Sequence, residues 1–564
     1  MSENCLIIND LKDMLNKTKE LYAQRPAYKI RTAPGEYKII THKEVRDMVD
    51  YLGTALIDLG LKDKRVAVIG ENRFEWCLSY LSVVCGTGII VPLDKALPEN
   101  ELSELVARSE VEAIFYSEKY SEALERIKKN GNNNLKYLIS MDLTENTEEV
   151  LSQKALVQKG KELVLNGNRE FIDAKINAEE MSVMLFTSGT TSKSKVVALS
   201  HRNICANIMD LAKALKLTEK DRALSFLPIH HVFECTAGFL QSLYVGCQVS
   251  FSDGIRRVLE NLNEYKITYV CLVPGIYETL YKNIIKNLEK EGKLEKIREL
   301  EEQYKDATME EKKKVFKEIH DVFGGEVNMF ISGAAAIDKN VAETFRKWGI
   351  HLCQGYGLTE TSPVVAIETK DVFRVGSIGK TLEHVEVKLA DVNEDGMGEL
   401  VVKGPSVMIG YYENEEANKE VLKDGWFYTG DLAKMDEDGY IFICGRKKSV
   451  IVLKNGKNVF PEETETLINR IQGVKESFVF GKQQSEDSAD IKIYAKIVFD
   501  RGVMKEVYNA ETDEEIYKVL WNKIIEINRV MPKYKSVLGI ILTEELLIKT
   551  TTNKIKRQEN LKNI

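Results

Sequence analysis

Short apolar segments alternate with helical patterns through the first 180 residues, and this alternation limits the possible folds more than any other feature of the sequence. Residues 66–69 are typical of a buried strand, residues 76–84 of a helix, and residues 88–93 of the next strand. A strand, a helix and a second strand in this order indicate parallel strands joined by a crossover helix. We therefore predict an α/β fold with layered, mostly parallel sheets.

The pattern changes toward the C-terminus. A helix is predicted for residues 462–470, a strand for residues 493–499, and a long helix from Asp513. This order is typical of a separate α+β domain. The predicted division is a large N-terminal body, residues 1–447, followed by a small α+β domain, residues 448–564.

A stretch rich in Lys and Glu interrupts the predicted body. Residues at about 286–320 carry these charges at helical spacing and include few aromatic residues. Charge runs of this kind are usually solvated. We predict a solvent-exposed helical insertion rather than a nucleic-acid-binding surface.

The composition is that of an ordinary globular protein, with 564 residues of which 44% are hydrophobic and 29% charged. These values exclude a coiled-coil rod and a wholly disordered chain. The net charge of −8 disfavours a general nucleic-acid binder, because such a protein needs a basic face. The nine Cys residues include no Cys-x-x-Cys pair, so neither a disulfide framework nor a thiolate zinc site is expected.

Targeting and membrane-spanning segments are not expected either. The N-terminus lacks a basic segment followed by an apolar core, which a signal peptide would have. The longest uncharged runs, residues 76–93 and 235–252, fall short of the roughly 20 apolar residues of a membrane helix. We predict a cytoplasmic protein, and peripheral contact with a membrane stays open.

A hydroxyl-rich loop provides the first candidate site. An apolar strand pattern, residues 181–186, runs into four hydroxyl residues around a glycine, and lysines follow. Hydroxyl side chains and exposed backbone amides can surround a polyphosphate while a lysine neutralises its charge. The loop is not a Walker A motif, and a polar hairpin turn is the alternative. The candidate residues are Thr187, Ser188, Gly189, Thr190, Thr191 and Lys195.

Glycine-bearing segments follow two neighbouring predicted strands, residues 327–331 and 351–353. Ligands in open α/β sheets bind at the carboxyl ends of the strands, so a nucleotide is expected at this edge. Tyr356 offers a flat face for a base, and Glu360 offers a hard oxygen ligand for Mg²⁺. Ordinary packing and a surface charge are the respective alternatives. The other candidates here are Gly333, Ala334, Ala335, Gly355 and Gly357.

Two later segments provide groups for a ribose. Asp431, in the segment Thr429-Gly-Asp, can accept hydrogen bonds from a ribose diol, and Arg446 can donate to the same ribose. Taken alone, such residues are more often a turn aspartate and a surface arginine. Residues 550–557 form a basic tail near the C-terminus, which taken alone is typical of solvated charge.

The motifs, taken in order, resemble the signature motifs of the adenylate-forming superfamily of acyl-CoA synthetases, peptide-synthetase adenylation domains and beetle luciferases. They extend from about residue 180 to residue 557. Residues 225–234 and the charged insertion most resemble long-chain fatty acyl-CoA synthetases. The matching motifs are Thr187-Ser-Gly-Thr-Thr, Gly355-Tyr-Gly-Leu-Thr-Glu, Thr429-Gly-Asp, Gly445-Arg-x-Lys and Lys554-Ile-x-Arg.

The resemblance implies an adenylate-forming body with a mobile C-terminal lid, and ATP, Mg²⁺, CoA and a fatty acid as ligands. The carboxylate would attack the α-phosphorus of ATP, and the CoA thiol would then displace AMP. The catalytic roles would fall to Lys554, which bridges carboxylate and phosphate oxygens, Thr359, which contacts the α-phosphate, and Glu360, which binds Mg²⁺. His231 would gate the acyl pocket, with a core or loop histidine as the alternative, and Lys448 would be the hinge of the lid.

The same resemblance assigns the remaining nucleotide contacts. Thr187 to Thr191 with Lys195 would hold the phosphates, residues 333–335 and Tyr356 would flank the adenine, and Asp431 and Arg446 would hold the ribose.

The sequence departs from the family pattern in the phosphate loop and in the tail. Ser192 and Ser194 replace the usual Gly and Pro, Val196 replaces a Gly, and Asn553 stands where a Gly usually precedes the lysine. Ser192 lacks the backbone freedom of Gly, whereas Asn tolerates left-handed angles. Two alternatives stay open: transfer of the acyl group to an acyl carrier protein, and a non-catalytic nucleotide- or lipid-binding regulator.

Overall fold

Two large sheets form the framework of the computed structural model, which describes residues 6–131, 133–187, 195–454, 457–483, 491–549 and 555–564. The central strands of both sheets are short and rich in Val, Ile, Leu and Phe, and most of their side chains are buried. Apolar residues on both faces are expected of parallel strands that helices cover on both sides.

The first sheet has nine strands among the described residues. Strands β14, β13, β12, β10, β11 and β1 run parallel, and β15, β16 and β2 are antiparallel to their neighbours. In spatial order the strands are β16 (Lys380–Thr381), β15 (Val364–Ile367), β14 (His351–Gly357), β13 (Met329–Ser332), β12 (Tyr269–Leu272), β10 (Arg222–Ser225), β11 (Gln248–Phe251), β1 (Pro26–Ala33) and β2 (Glu36–Thr41).

The parallel centre gives the first sheet two chemically distinct edges. We call the side on which residues 226, 273 and 333 follow the strands the carboxyl edge. The opposite side, where residues 222 and 351 begin their strands, is the amino edge.

The second sheet repeats this plan. Its strands β8, β4, β3, β5, β6 and β7 run parallel, and β9 and β19 are antiparallel to their neighbours. In spatial order the described strands are β19 (Gly410–Tyr411), β9 (Lys195–Ser200), β8 (Met181–Thr187), β4 (Gly88–Pro92), β3 (Lys64–Ile69), β5 (Ala113–Tyr116), β6 (Tyr137–Ser140) and β7 (Val150–Ser152).

Helices on both faces of the two sheets bury the apolar surface. The largest core cluster joins both sheets through helices such as α2 and α7 and a π-helical segment, Phe233–Leu240. Ser200 caps α7 (His201–Leu215), because its side chain accepts a hydrogen bond from the Asn203 amide. The helices of the first 270 residues are α1 (Leu11–Tyr22), α2 (His42–Asp58), α3 (Phe74–Ser82), α4 (Glu99–Ser109), α5 (Ser121–Lys129), α6 (Gln153–Leu165), α7 (His201–Leu215), α8 (Gln241–Tyr244) and α9 (Val258–Tyr265).

The charged insertion is helical and lies against the outer face of the first sheet. The side chains of α11 and α12 are not buried, but Phe316 and Phe323 belong to the core cluster on this face. The insertion therefore exposes its charged side chains, while its apolar side chains pack against the core cluster and Phe316 and Phe323 are buried in it. The helices of this region are α10 (Pro274–Lys290), α11 (Leu294–Gln303), α12 (Met309–Val315), α13 (Lys317–Val322) and α14 (Lys339–Lys347).

A smaller antiparallel sheet follows, and β21 and β22 form a hairpin within it. Its strands are β17 (Glu386–Ala390), β18 (Gly398–Lys403), β20 (Leu422–Lys423), β21 (Trp426–Met435) and β22 (Ile441–Arg446), with α15 (Glu415–Val421) beside β20. The segment after residue 447 has its own core of Ile, Leu and Val side chains. Its elements are β23 (Ile451–Val452), β24 (Asn458–Val459), α16 (Pro461–Ile468), β25 (Val474–Gln483), β26 (Ile491–Phe499), α17 (Arg501–Tyr508), α18 (Asp513–Val530), β27 (Val537–Thr543) and α19 (Arg557–Leu561).

The predicted α/β class with large, mostly parallel sheets is confirmed. Among the described residues, no helix combines the length and the apolar character needed to cross a bilayer.

Candidate functional site

The loop after β13 is exposed at the carboxyl edge, next to β14. Ser332 pairs with Gln354, so Gly333 and Gly355 follow side by side on adjacent strands. The ring of Phe233 lies directly against Gly333, because a Cβ placed there would be 2.8 Å from the ring. Residues 334 and 335 are exposed. The loop thus presents backbone and small side chains toward solvent, which suits the close approach of a flat ligand.

A buried glutamine holds this loop in place, and the sequence did not single it out. The Ile337 amide donates to Gln354 Oε1 at 2.8 Å, and Gln354 Nε2 donates to the Ser377 carbonyl at 3.0 Å. Behind it, Glu368 accepts from the Gln354 amide at 3.0 Å. Burial raises the pKa of Glu368 to about 7, although the backbone amides of Gln354 and Arg374 act in the opposite direction.

Residues 355–357 differ from the prediction. The sequence indicates a glycine-rich loop, but the structure continues β14 through Gly357 and pairs it with β15. A Cβ at Gly357 would be 1.9 Å from the Pro363 carbonyl oxygen, so glycine permits this close pairing. The strand continues because β15 supplies an antiparallel partner from later in the chain, which local patterning does not reveal.

Tyr356, Asp431 and Arg446 form one hydrogen-bonded group. The Tyr356 hydroxyl donates to Asp431 Oδ2 at 2.5 Å, and Arg446 Nε lies 2.8 Å from Asp431 Oδ1. Burial, and then the Asp431 carboxylate, raise the pKa of Tyr356 well above its ordinary value. Burial disfavours the Arg446 charge, but Asp431, Tyr356 and Glu360 together keep its pKa raised.

The hairpin explains why Asp431 and Arg446 meet. Asp431 lies within β21, directly opposite Arg446 of β22, rather than in the predicted turn. Gly430, with φ of 72°, precedes it and takes the left-handed angle that favours glycine. Directly opposite side chains on paired strands lie close enough to interact. Asp431 and Arg446, 15 residues apart in the sequence, therefore form an ion pair.

Glu360, Lys195 and Tyr411 form a second group. The Tyr411 hydroxyl donates to Glu360 Oε1 at 2.8 Å, and Lys195 Nζ lies 4.4 Å from the centre of the Tyr411 ring. Burial, and then the Glu360 carboxylate, raise the pKa of Tyr411. Tyr411 was not a candidate from the sequence, because strand β19 is two residues long and its pairing with β9 has no local signal.

The hydroxyl-rich loop is described only at its two ends. Thr187 ends β8 opposite Lys195 of β9, and its hydroxyl donates to the Lys195 carbonyl at 3.3 Å. Thr359 opens the short turn that carries Glu360. The other predicted loop residues lie outside the described residues; they are Ser188, Gly189, Thr190 and Thr191, with Ser192 and Ser194.

His231 lies just before the π-helical segment and is half-buried. Its Nδ1 accepts from the Phe233 amide at 3.5 Å, and its carbonyl accepts from Cys235 at 2.9 Å. A small cavity of about 10 Å³ lies beside this segment, against β4, β8 and β9 of the second sheet. The neighbouring His230 lines that cavity together with Val232 and apolar residues of β8, β9 and α7.

The C-terminal segment contacts the hairpin of β21 and β22 through Phe460 and the start of α16. A Cβ at Gly445 would be 2.8 Å from the Phe460 ring and 3.3 Å from Glu462 Oε2. Glu462 in turn lies 3.1 Å from the Arg557 guanidinium, which also binds Glu465 at 2.7 Å. Lys448 lies in the turn after β22, 3.8 Å from Glu420 of α15. The predicted catalytic Lys554, and Asn553 before it, lie outside the described residues.

Comparison with protein families gives two matches that follow one another along the chain. Residues 15–412 match the family described as AMP-binding enzyme, and residues 448–563 match the AMP-binding enzyme C-terminal domain.

Individual relatives agree with these matches. The chain is 30% identical to "Long chain acyl-CoA synthetase 4" of Arabidopsis thaliana, over 83% of this chain and 76% of that protein. It is 26% identical to "Long-chain-fatty-acid--CoA ligase 1" of Homo sapiens, over 93% of this chain and 81% of that protein.

Solved structures share the fold. The anthranilate CoA ligase AuaEII in complex with anthranoyl-AMP has a TM-score of 0.77 at 20% identity, covering 98% of this chain and 97% of that one. ATP-bound MatB from Rhodopseudomonas palustris has a TM-score of 0.74 at 24% identity, covering 98% and 99%. The predicted adenylate-forming fold is confirmed.

Proposed function

The chain belongs to the AMP-binding enzymes, and on that premise we propose that it is an AMP-forming ligase that joins a long-chain fatty acid to CoA. The observation that carries the proposal is the convergence of two groups. Tyr356, Asp431 and Arg446 form the first group. Glu360 belongs to the second group, where it accepts a hydrogen bond from Tyr411, and its charge helps to raise the pKa of Arg446 in the first. Together they provide ribose, base and phosphate contacts in one place.

In this proposal the nucleoside lies across the ends of β13 and β14. Asp431 holds the ribose diol, since a carboxylate can accept several hydrogen bonds, and Tyr356 and Arg446 fix its position. The adenine lies between Tyr356 and residues 333–335, and Gly355 and Gly357 keep the adjoining backbone close. Thr359 contacts the α-phosphate.

Glu360 has the chemistry that a Mg²⁺ site needs. Magnesium is commonly bound by one or two carboxylates together with substrate phosphates and waters. Glu360 is one such hard oxygen ligand, and the Tyr411 hydroxyl fixes its orientation at 2.8 Å. When bound, the ion would neutralise charge on the phosphates. Lys195, with Thr187 to Thr191, would do the same from the protein side.

The proposed reaction has two steps. An oxygen of the fatty acid carboxylate bonds to the α-phosphorus of ATP, and pyrophosphate leaves. The CoA thiol, losing its proton, then bonds to the acyl carbon, and AMP leaves. Negative charge builds on phosphate oxygens in the first step, so fixed positive charge there lowers the barrier. Lys554 would supply it.

The acyl chain would enter beside His231, next to the second sheet. The cavity there is about 10 Å³, room for roughly one water molecule rather than an alkyl chain. Binding would therefore require the segment around His231 and Phe233 to move. Phe233 also contacts Gly333, so this movement would couple acyl binding to the nucleotide loop.

The C-terminal segment, residues 448–564, would act as a lid that turns at Lys448. Closing it would bring Lys554 to the phosphates, and turning it would open a path for CoA. Lys554→Ala should abolish fatty-acid-dependent pyrophosphate exchange but largely spare thioester formation from supplied acyl-adenylate. Lys556→Ala, next to it in the tail, is the matched control. Equal loss of both half-reactions would contradict the assignment.

A substrate series tests the proposed function. The protein is assayed with ATP, Mg²⁺ and CoA against medium-chain, long-chain and aromatic acids, and AMP and thioester are measured. Long-chain acids should give both products. A parallel set with acyl carrier protein instead of CoA tests the acceptor. If no acid yields AMP, the ligase proposal fails; if only carrier protein is acylated, the CoA step is wrong.

We also propose where the protein is located in the cell and that it contacts a membrane. A cytoplasmic location fits the scattered, unpaired cysteines, and peripheral membrane contact would give access to fatty acids. Fractionation of cells into cytosol and membrane tests both.

A further inference from the structure

Helix α7 carries polar side chains on a face that is buried. Asn203 and Asn207 are 6% and 0% exposed, and Asp210 is 3% exposed. Residues three or four positions apart lie on the same face of a helix, so these three residues form one line along α7. A buried polar side chain is costly unless its hydrogen bonds are made. Each member of the line should therefore have a partner in a segment that packs on α7.

Asn207 holds the strand that follows the turn of Glu360. Its Nδ2 donates to the Val364 carbonyl at 2.7 Å, and the Val364 amide donates to Asn207 Oδ1 at 3.3 Å. Val364 is the first residue of β15 and pairs with Gly357 of β14. Thr359 and Glu360 lie between these two paired residues. One side chain of α7 thus fixes the end of the turn that carries Glu360.

Asn203 holds a second segment that contacts Glu360. Its Nδ2 donates to the carbonyls of Pro405 and Val407, both at 2.8 Å. The next residue, Met408, donates its amide to the Glu360 carbonyl at 2.8 Å. The backbone of Glu360 is therefore tied to α7 along two routes, one through each asparagine.

The carboxylate of Glu360 depends on the second of these routes. Tyr411, three residues after Met408, donates its hydroxyl to Glu360 Oε1 at 2.8 Å. Helix α7 itself begins directly after β9, whose first residue is Lys195. The proposed Mg²⁺ ligand and the proposed phosphate lysine are therefore held by one continuous unit, β9 and α7.

The position of a carboxylate matters for Mg²⁺ more than for most ions. Magnesium demands near-ideal octahedral geometry and keeps few protein ligands beside the substrate phosphates. Changing a group that orients a metal ligand typically lowers metal affinity or activity by about 10- to 100-fold. Groups that fix the backbone of Glu360 should act on the ion in the same way.

We propose that Asn203 and Asn207 are positioning residues, which hold Glu360 where it binds the Mg²⁺ of the ATP complex. This inference rests on the proposed function, because it takes Glu360 as the metal ligand. Both asparagines act through the backbone of Glu360 rather than by contact with the nucleotide or the ion.

Asp210 provides a matched control within the same line. It accepts from the His384 amide at 3.0 Å and lies 2.6 Å from His384 Nδ1. These contacts hold the segment before β17 rather than the turn of Glu360. Asp210→Ala therefore removes an equally buried polar group from α7 without releasing Glu360.

Calorimetric titration of the full-length protein with ATP, in excess Mg²⁺ and in EDTA, tests the proposal. The ratio of the two dissociation constants measures how much the ion tightens ATP binding, and a smaller folded fraction does not change this ratio. Mg²⁺ should tighten ATP binding by the wild type, and Glu360→Ala should lose most of that tightening. Asn207→Ala should also lose most of it, a reduction of roughly tenfold in the ratio. Asp210→Ala should keep the wild-type ratio.

Asn203→Asp is the second variant. It keeps the acceptor for the Ser200 amide, which Asn203 Oδ1 binds at 2.9 Å, but its carboxylate cannot donate to the carbonyls of Pro405 and Val407. The ratio should fall in this variant as well.

The possible results separate the positioning role from the proposed function. An unchanged ratio in both asparagine variants, with loss in Glu360→Ala, would overturn the positioning role alone. Equal losses in Asp210→Ala and Asn207→Ala would overturn it too, because the effect would then belong to α7 as a whole. If Mg²⁺ does not tighten ATP binding by the wild type, the proposed metal role of Glu360 fails, and the positioning role fails with it.

Discussion

The two edges of the first sheet are made by the same strands but carry opposite chemistry. At the carboxyl edge, β13 and β14 continue into glycine- and alanine-rich backbone, and the charged side chains, Asp431 and Arg446, arrive from a separate hairpin. At the amino edge, Arg222 and His351 stand on the strands themselves, and the charged insertion covers them.

The difference follows from how parallel strands are connected. Each strand leaves the carboxyl edge through a loop that can present exposed backbone, which is where ligands of α/β sheets bind. Here the loop at residues 333–335 supplies exposed backbone, and the charged groups of the proposed site come from the hairpin of β21 and β22. The amino edge receives chain returning from helices, so its chemistry depends on which insertion packs over it. The first edge follows from the parallel strand connections, whereas the second depends on the insertion that covers it.

Asp431→Ala should cause the largest loss of activity, because Asp431 is the shared partner of Tyr356 and Arg446 at the carboxyl edge. It removes the proposed ribose acceptor and takes the Asp431 carboxylate away from the Tyr356 hydroxyl and Arg446. The loss of two charge-assisted hydrogen bonds is worth about 10³-fold in kcat/KM for ATP. Pyrophosphate release with a long-chain acid measures it.

Asp438→Asn is the control for Asp431→Ala, since it lies exposed in the same hairpin and pairs with Arg374. It should stay within about twofold of the wild type, as surface ion pairs contribute little. Similar losses in both variants would mean that the hairpin, and not Asp431, carries the effect.

Tyr411→Phe should have a moderate effect at the same edge. It removes the hydrogen bond that orients Glu360, which predicts about a tenfold loss in kcat/KM and a higher requirement for Mg²⁺. Titration of activity with Mg²⁺ at saturating ATP separates these effects. Tyr412→Phe loses a different hydrogen bond, to Arg65, and should leave the Mg²⁺ requirement unchanged. Equal Mg²⁺ dependence of all three proteins would remove Glu360 from the metal site.

The smallest expected effects are on the pH dependence of stability, and they come from one buried ionisable group near each edge. Burial raises the pKa of Glu234 to about 8, although Ser225 and the amides of Leu227 and Phe226 act against it. The folded protein then binds more protons than the unfolded chain between about pH 4.5 and pH 8, so stability falls as the pH rises through this window. Glu234→Gln should flatten that fall in urea unfolding.

His351 at the amino edge should respond with the opposite sign. Its pKa is lowered from 6.5 to about 4. Between these two values the unfolded chain binds more protons than the folded protein, so stability falls as the pH drops. His351→Gln should flatten this acid-side fall and leave the alkaline side unchanged. Each slope is at most about 1.4 kcal/mol per pH unit for one group. Identical pH profiles of the wild type and both variants would contradict the assignment of these groups.

Local patterning predicted the framework well and the site only in part. The strand predicted at residues 66–69 lies within β3, and the helix predicted at 76–84 overlaps α3. Apolar runs of this kind depend on near neighbours, so they are visible in the sequence. The order of the motifs identified Asp431 and Arg446 as candidate site residues, and the hairpin places them opposite each other.

What the sequence did not reveal depends on contacts between distant segments. Tyr411 reaches Glu360 from 51 residues away through a two-residue strand. Gln354 fixes the loop before Ile337 from the neighbouring strand. A cavity lies under α12 because the insertion is anchored by Phe316 and Phe323, in a stretch whose charge pattern indicates only solvation.

Hydrogen–deuterium exchange with and without ATP and Mg²⁺ tests the distinction between the two edges most directly. We expect slower exchange in peptides that contain residues 333–337, 355–361 and 429–431, and no change in those that contain residues 220–222 and 349–351. Protection confined to the second set would contradict it.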